Sequence, residues 1–240
     1  MKPVLIIKTG ITVKAAYDKA GDFERWIIDS MLGNAADFIV AEVFKGDSLP
    51  DSTELAGVVI TGSAAMVTER LPWSEYTAEW LRQAVNKQVP ILGICYGHQL
   101  LAHALGGRVD FHPGGREIGT TVVTPIAAAG EDELFASIKS PFTAHVSHMQ
   151  SVIELPANAT ILACNEFEPH QAVKYSKHVW GLQFHPEFEE IIMLAYMQER
   201  AAVLIEEGLD LEQLRGKVSP TPIARKILAD FYTLIKNYSV

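Results

Sequence analysis

At 240 residues, with 48% hydrophobic and 20% charged side chains, the chain can bury a substantial core as one domain of ordinary to large size. A net charge of −9 argues against a nucleic-acid surface, which needs clustered Lys and Arg to neutralise phosphates. The two cysteines, Cys95 and Cys164, make neither a disulfide framework nor a Cys-x-x-Cys metal site, and the apolar run at residues 4–7 is too short for a signal sequence or a membrane span. A soluble cytoplasmic protein with reduced thiols, no metal and no cofactor is expected.

The first half alternates short apolar runs with helical patterns. "PVLIIKT" at residues 3–9 reads as a buried strand, and "DFERWIIDSMLG" at residues 22–33 as a helix closed by glycine. "DFIVAEVF" and "GVVITGS" are the next strands. "PWSEYTAEWLRQAVNK" opens a helix with Pro72 in its first turn, "VPILGI" is a fully buried strand, and a helix follows over about 97–105. This alternation implies a doubly wound, mostly parallel α/β sheet. From residue 107 to 184 strand signals dominate ("GRVDF", "GTTVVTP", "FTAHVSH", "SVIELP", "ATILACN", "QAVKYS", "VWGLQF"), so additional antiparallel strands are expected. After Pro186 the pattern turns helical. One domain results, with a core over about 1–188 and a helical C-terminal extension over about 189–240.

In "ILGICYGHQLLAHALGG" a cysteine stands between two glycines, where an apolar strand gives way to a helix. This is the thiol form of a nucleophile elbow: a sharp turn in strained backbone angles that needs small neighbours, here Gly93 and Gly97. A helix start aims backbone N–H groups at the sulfur and favours the reactive thiolate. A cysteine that merely fills a strand–helix junction would look the same in isolation. A nucleophile also needs a base and an orienting group. Among eight histidines, His103 lies within the helix after the elbow, and His112, His170 and His178 sit in polar, turn-like stretches expected to be solvated. His185 ends the apolar strand of "VWGLQFHPEF", and Pro186 stiffens the link to Glu187, which can turn back onto the imidazole. Alone, His-Pro-Glu reads equally as a strand-ending turn before an acidic helix start. Together with the elbow it reads as a triad.

"GICYGHQLLAHALGG" and "GLQFHPEF", in this order, resemble the motifs of the class I, triad-type glutamine amidotransferases, most closely the amidotransferase portion of GMP synthetases and its stand-alone relatives. The resemblance extends from the first strand to about Phe188. It implies that Cys95 attacks the side-chain amide of glutamine, with His185 as general base and acid and Glu187 as its orienter. It also implies an oxyanion hole of two backbone N–H groups, from Ser63 and Tyr96. In "VVITGSAAM", Gly62 and Ser63 stand where two glycines are usual, and Ala64 where proline is common. Gln99 matches a substrate-contacting position. In "HVSHMQSV", Ser147 and His148 match a frequent Ser-His-Gly-Asp sequence while Met149 and Gln150 depart, leaving Met149 a contact through its backbone. Arg116 and Glu117 of "GGREIGTT" are expected to be structural, and Cys164 an inert core thiol.

The implied activity is a glutaminase that passes ammonia to an acceptor. No P-loop occurs, and some 50 C-terminal residues are too few for an ATP-dependent synthetase domain, so a separate synthetase or ammonia-acceptor subunit is expected. Neither a nucleic acid nor a membrane is an expected partner. Two alternatives stand beside this reading: a γ-glutamyl hydrolase or peptidase using the same triad, and a non-enzymatic regulatory subunit.

Overall fold

The structure is a computed structural model that describes residues 2–238. Its main sheet has nine strands in the order β2-β1-β3-β4-β11-β10-β9-β6-β7. Five of them run parallel: β2 (Phe38–Glu42), β1 (Val4–Lys8), β3 (Gly57–Ile60), β4 (Ile91–Ile94) and β11 (Val179–Leu182). The other four, β10 (Ala172–Ser176), β9 (Thr160–Cys164), β6 (Glu117–Pro125) and β7 (Phe142–His148), continue the sheet antiparallel. β5 (Arg108–Phe111) and β8 (Gln150–Glu154) form a separate antiparallel pair.

The uninterrupted apolar runs follow from a sheet covered on both faces. Along β1, Val4 and Ile6 face one hydrophobic cluster while Leu5 and Ile7 face the other. Each such side chain contributes about 1.5–3 kcal/mol on full burial. One face is covered by α2 (Phe23–Met31) and α8 (Pro222–Tyr238), and the other by α3 (Pro72–Asn86) and α4 (Tyr96–Ala104). The C-terminal helix shares the central core: Ile227, Leu228, Phe231 and Ile235, spaced along one face, are fully buried among sheet residues. A third cluster packs α1 (Lys14–Ala20) against α5 (Glu190–Glu199), with Leu204 of α6 (Ala201–Glu206) and the edge of α7 (Leu211–Gly216). Among the described residues no helix is long and apolar enough to cross a membrane.

Two local expectations are revised. The left-handed residue that ends α2 is Leu32 (φ 54°), not Gly33. Glycine is required next to it for space, because a Cβ on Gly33 would sit 2.5 Å from the Phe38 ring. His178 is not solvated: it is buried, stacks against Tyr238 and lies 3.0 Å from a Glu133 carboxylate oxygen.

Candidate active site

The carboxyl ends of β1, β3, β4 and β11 converge on one point, the usual ligand-binding edge of a doubly wound sheet. Cys95 lies between β4 and α4 with φ 50° and ψ −102°, angles a side-chain-bearing residue adopts only under constraint. Several contacts impose them. The Cys95 N–H donates to the Leu182 carbonyl at 2.7 Å, and the Cys95 carbonyl accepts from the Gln99 N–H at 3.1 Å. The flanking glycines let strand and helix nearly touch: a Cβ on Gly93 would lie 2.5 Å from the Gly97 carbonyl, and one on Gly97 2.6 Å from the Ile60 oxygen. Tyr96 is the first residue of α4, so its N–H has no partner within the helix.

His185 follows β11 and is hydrogen-bonded to the Cys95 sulfur. Its N–H donates to the His145 carbonyl at 2.8 Å, and its ring stacks on Phe188 at 4.0 Å. Its Nδ1 lies 2.7 Å from Glu187 Oε1, with both side chains buried. Burial alone would strip the imidazole of its proton. The Glu187 carboxylate and then Cys95 outweigh it and push the His185 pKa up to about 10. Neighbouring His145 moves the other way, down to about 4, through burial and the His185 charge.

On the opposite wall, the hydroxyls of Thr9 and Thr61 each lie 2.9 Å from the Gly62 carbonyl oxygen. In a trans peptide this sets the direction of the Ser63 N–H. A Cβ on Gly62 would press on His185 Cε1 at 3.0 Å. The serine that replaces a glycine here is accommodated by Gly10, where a Cβ would meet Ser63 Oγ at 2.9 Å. Ser63 Oγ donates to the Thr9 carbonyl at 2.8 Å and so ties the turn to the end of β1.

The cleft beside Cys95 is lined by Ser63, Tyr96, Gln99, Ser147, His148 and Met149, so residues scattered over the sequence meet at one place. The sulfur lies 3.8 Å from the Ser147 carbonyl oxygen. The Gln99 amide nitrogen donates to the Gln150 carbonyl (2.7 Å) and to Gln183 Oε1 (2.9 Å), which leaves its oxygen as the atom free to meet a ligand. Both His148 ring nitrogens are engaged, with Glu117 Oε2 at 2.8 Å and the Gln150 carbonyl at 3.0 Å, so His148 offers the cleft its ring surface. Glu117 also accepts from Asn165 and Gln171 and anchors this wall, the structural part expected of it. Cys164 is half-buried at the end of β9.

Two cleft residues escaped the sequence reading. Arg116, expected to be structural, also lines the cleft, and so does Arg200 from the helical extension. Arg200 sits at the break between α5 and α6. No Gly or Pro marks that break in "YMQERAAVL", so no local signal could have revealed it. The cleft holds a cysteine, a charged histidine, a buried carboxylate and aligned backbone donors. No group of His, Cys, Asp or Glu that could hold a metal ion occurs among the described residues.

Comparison with known proteins agrees with this constellation. The sequence model of the family described as Glutamine amidotransferase class-I matches residues 16–193. The GMP synthase [glutamine-hydrolyzing] of Clostridium perfringens is 38% identical over 134 residues, 55% of this chain and 25% of that protein. A chain of Methanococcus aeolicus named as one subunit of a glutamine-hydrolyzing GMP synthase is 34% identical over 140 residues, 58% of this chain and 68% of that one. Among solved structures, a glutamine amidotransferase from Thermotoga maritima superposes with a TM-score of 0.77 over 98% of both chains at 22% identity, a likeness of fold. The chain is a member of the class I glutamine amidotransferase family.

Proposed function

We propose that this chain hydrolyses the side-chain amide of glutamine through a thioester on Cys95 and releases ammonia for a separate acceptor. The observation that carries the reading is the contiguous Cys95–His185–Glu187 array, with the sulfur on a strained elbow and the imidazole held at 2.7 Å by a buried carboxylate. A protonated His185 supplies the positive charge that a thiolate nucleophile needs beside it. The sulfur attacks the amide carbon, and the oxygen takes up negative charge between the Ser63 and Tyr96 N–H groups. His185 then gives its proton to the amide nitrogen, the C–N bond breaks and ammonia leaves. The now neutral imidazole takes a proton from water, whose oxygen attacks the thioester carbon. Collapse of the second tetrahedral species returns the sulfur and frees glutamate. Glu187 holds the ring in register throughout and offsets its charge.

For the acceptor, the support is less direct. Some relatives are chains of similar scale named as one part of a two-part GMP synthase, whereas the longer GMP synthases are matched over about a quarter of their length. This chain likewise shows no phosphate-gripping glycine loop followed by Lys-Ser/Thr, so ATP-driven activation of an acceptor is assigned to another polypeptide. The test is ammonia release from glutamine by the purified chain, set against a panel of γ-glutamyl amides and peptides, with ATP consumption followed in parallel. Glutamine as the preferred substrate without ATP turnover supports the reading. Preference for a γ-glutamyl peptide, with glutamine untouched, overturns it.

A further inference from the structure

The Cys95 cleft contains two guanidinium groups of unequal status. Arg116 is neutralised: its Nε and Nη2 lie 2.7 Å and 2.9 Å from the two carboxylate oxygens of Glu207, and Nη2 also faces the Met149 sulfur. Arg200 has no such counter-ion. Its Nε is buried without a hydrogen-bond partner, and among the described residues no carboxylate lies within ion-pair distance of it. The guanidinium is instead held over the Tyr196 ring, 5.7 Å from the centroid, which fixes the cation but satisfies none of its donors. Burial, and then the charge of Arg116, make its proton easier to lose than in an ordinary arginine. A partly buried cation with unpaired donors is unfavourable unless a ligand completes it.

We infer that Arg200 is the substrate-binding residue that receives the free α-carboxylate of the amino acid whose side-chain carbonyl Cys95 attacks. Three features select that ligand. The cleft carries one uncompensated positive charge, which one carboxylate balances and a phosphate dianion would overshoot. The planar guanidinium matches a carboxylate edge through paired N–H donors. Arg200 and Cys95 line the same narrow cleft, as the two ends of one small amino acid require. The C-terminal extension thereby contributes to specificity: simple amides are rejected, and amides of α-amino acids with a free α-carboxylate are accepted. The inference rests on the glutaminase reading above and names the group by which the substrate is held.

The experiment uses an electrophilic glutamine analogue, 6-diazo-5-oxonorleucine, and its α-carboxamide, with the rate of covalent labelling of Cys95 followed by mass spectrometry. The wild-type protein is expected to react ~10–100-fold faster with the free acid, the range a charge-assisted pair supplies. Arg200→Gln should slow the acid and not the carboxamide, bringing the ratio close to one, and Arg200→Met should do the same. With glutamine, KM should rise by a similar factor while kcat changes little. A ratio near one in the wild type overturns the inference whatever the variants do. So does a wild-type ratio that survives in both variants with Cys95 still labelled. If neither compound labels wild-type Cys95, the glutaminase reading fails and this inference with it.

Discussion

His185 Nδ1 lies 2.7 Å from Glu187 Oε1, and neither side chain reaches solvent. Two residues separated only by Pro186 therefore form a charged pair in a place where each charge alone would be costly. The pair makes sense as one unit with Cys95, whose sulfur supplies the second interaction favouring a charged ring.

The sign of the pH dependence follows. The folded-state pKa of His185 stands near 10, above its ordinary 6.5. Its contribution to stability is thus fully present below about pH 6.5 and is lost as pH rises through 10. Glu187→Gln removes the main interaction that opposes burial, so the His185 titration followed by NMR should move to markedly lower pH. Glutamine hydrolysis should fall in both His185→Ala and Glu187→Gln, the latter being ~10²-fold the milder, since an orienter contributes less than the group that moves the proton. An unchanged His185 titration in Glu187→Gln would contradict the assigned geometry.

Cys95→Ala and Cys95→Ser should each lower hydrolysis by at least ~10³-fold while the melting temperature stays within a few degrees. The change is small, and the elbow is held by backbone hydrogen bonds that survive it. Peptide mapping after exposure to the diazo analogue should find label on Cys95 and none on half-buried Cys164. Label on Cys164 instead would remove the nucleophile assignment.

The Gly62–Ser63 peptide is held by Thr9 and Thr61 in the free chain, so an arrangement that silences the Ser63 N–H must first release the Gly62 carbonyl. Thr9→Val keeps the volume and deletes one restraint. It should cost up to ~10²–10³-fold in kcat, the value of one oxyanion donor, with little change in KM. A crystal structure of the variant, free and labelled with the diazo analogue, would show whether the peptide turns. If kcat is unaffected, these hydroxyls have no part in aligning the donor.

Gly97→Ala tests the elbow from the packing side. Its new methyl group would meet the Ile60 carbonyl oxygen at 2.6 Å, a backbone atom within the parallel sheet. Overpacking of this kind costs about 1–3 kcal/mol. Thermal unfolding should shift down accordingly, and activity should fall with it because helix and strand must separate. A variant as stable as the wild type would mean that the junction is looser than the observed contacts.

The local features were legible because they are written in adjacent residues. Strand-glycine-x-Cys-x-glycine-helix names an elbow, the apolar run into His-Pro-Glu names a base and its orienter, and every strand expected after residue 107 is present. Period and turn chemistry act over a few residues and can be read there. Only the tertiary structure decided what lay between distant segments. It set β11 parallel to β4 so that Leu182 fixes Cys95, paired Gly10 with the serine at position 63, and put the Thr9 and Thr61 hydroxyls on one carbonyl. It also brought Arg200 into the Cys95 cleft, although 105 positions separate the two in sequence. Nothing near Arg200 distinguishes it from a solvated helix residue. Its lack of a counter-ion is a property of the space around it, and that space exists only once the C-terminal helices have docked on the sheet.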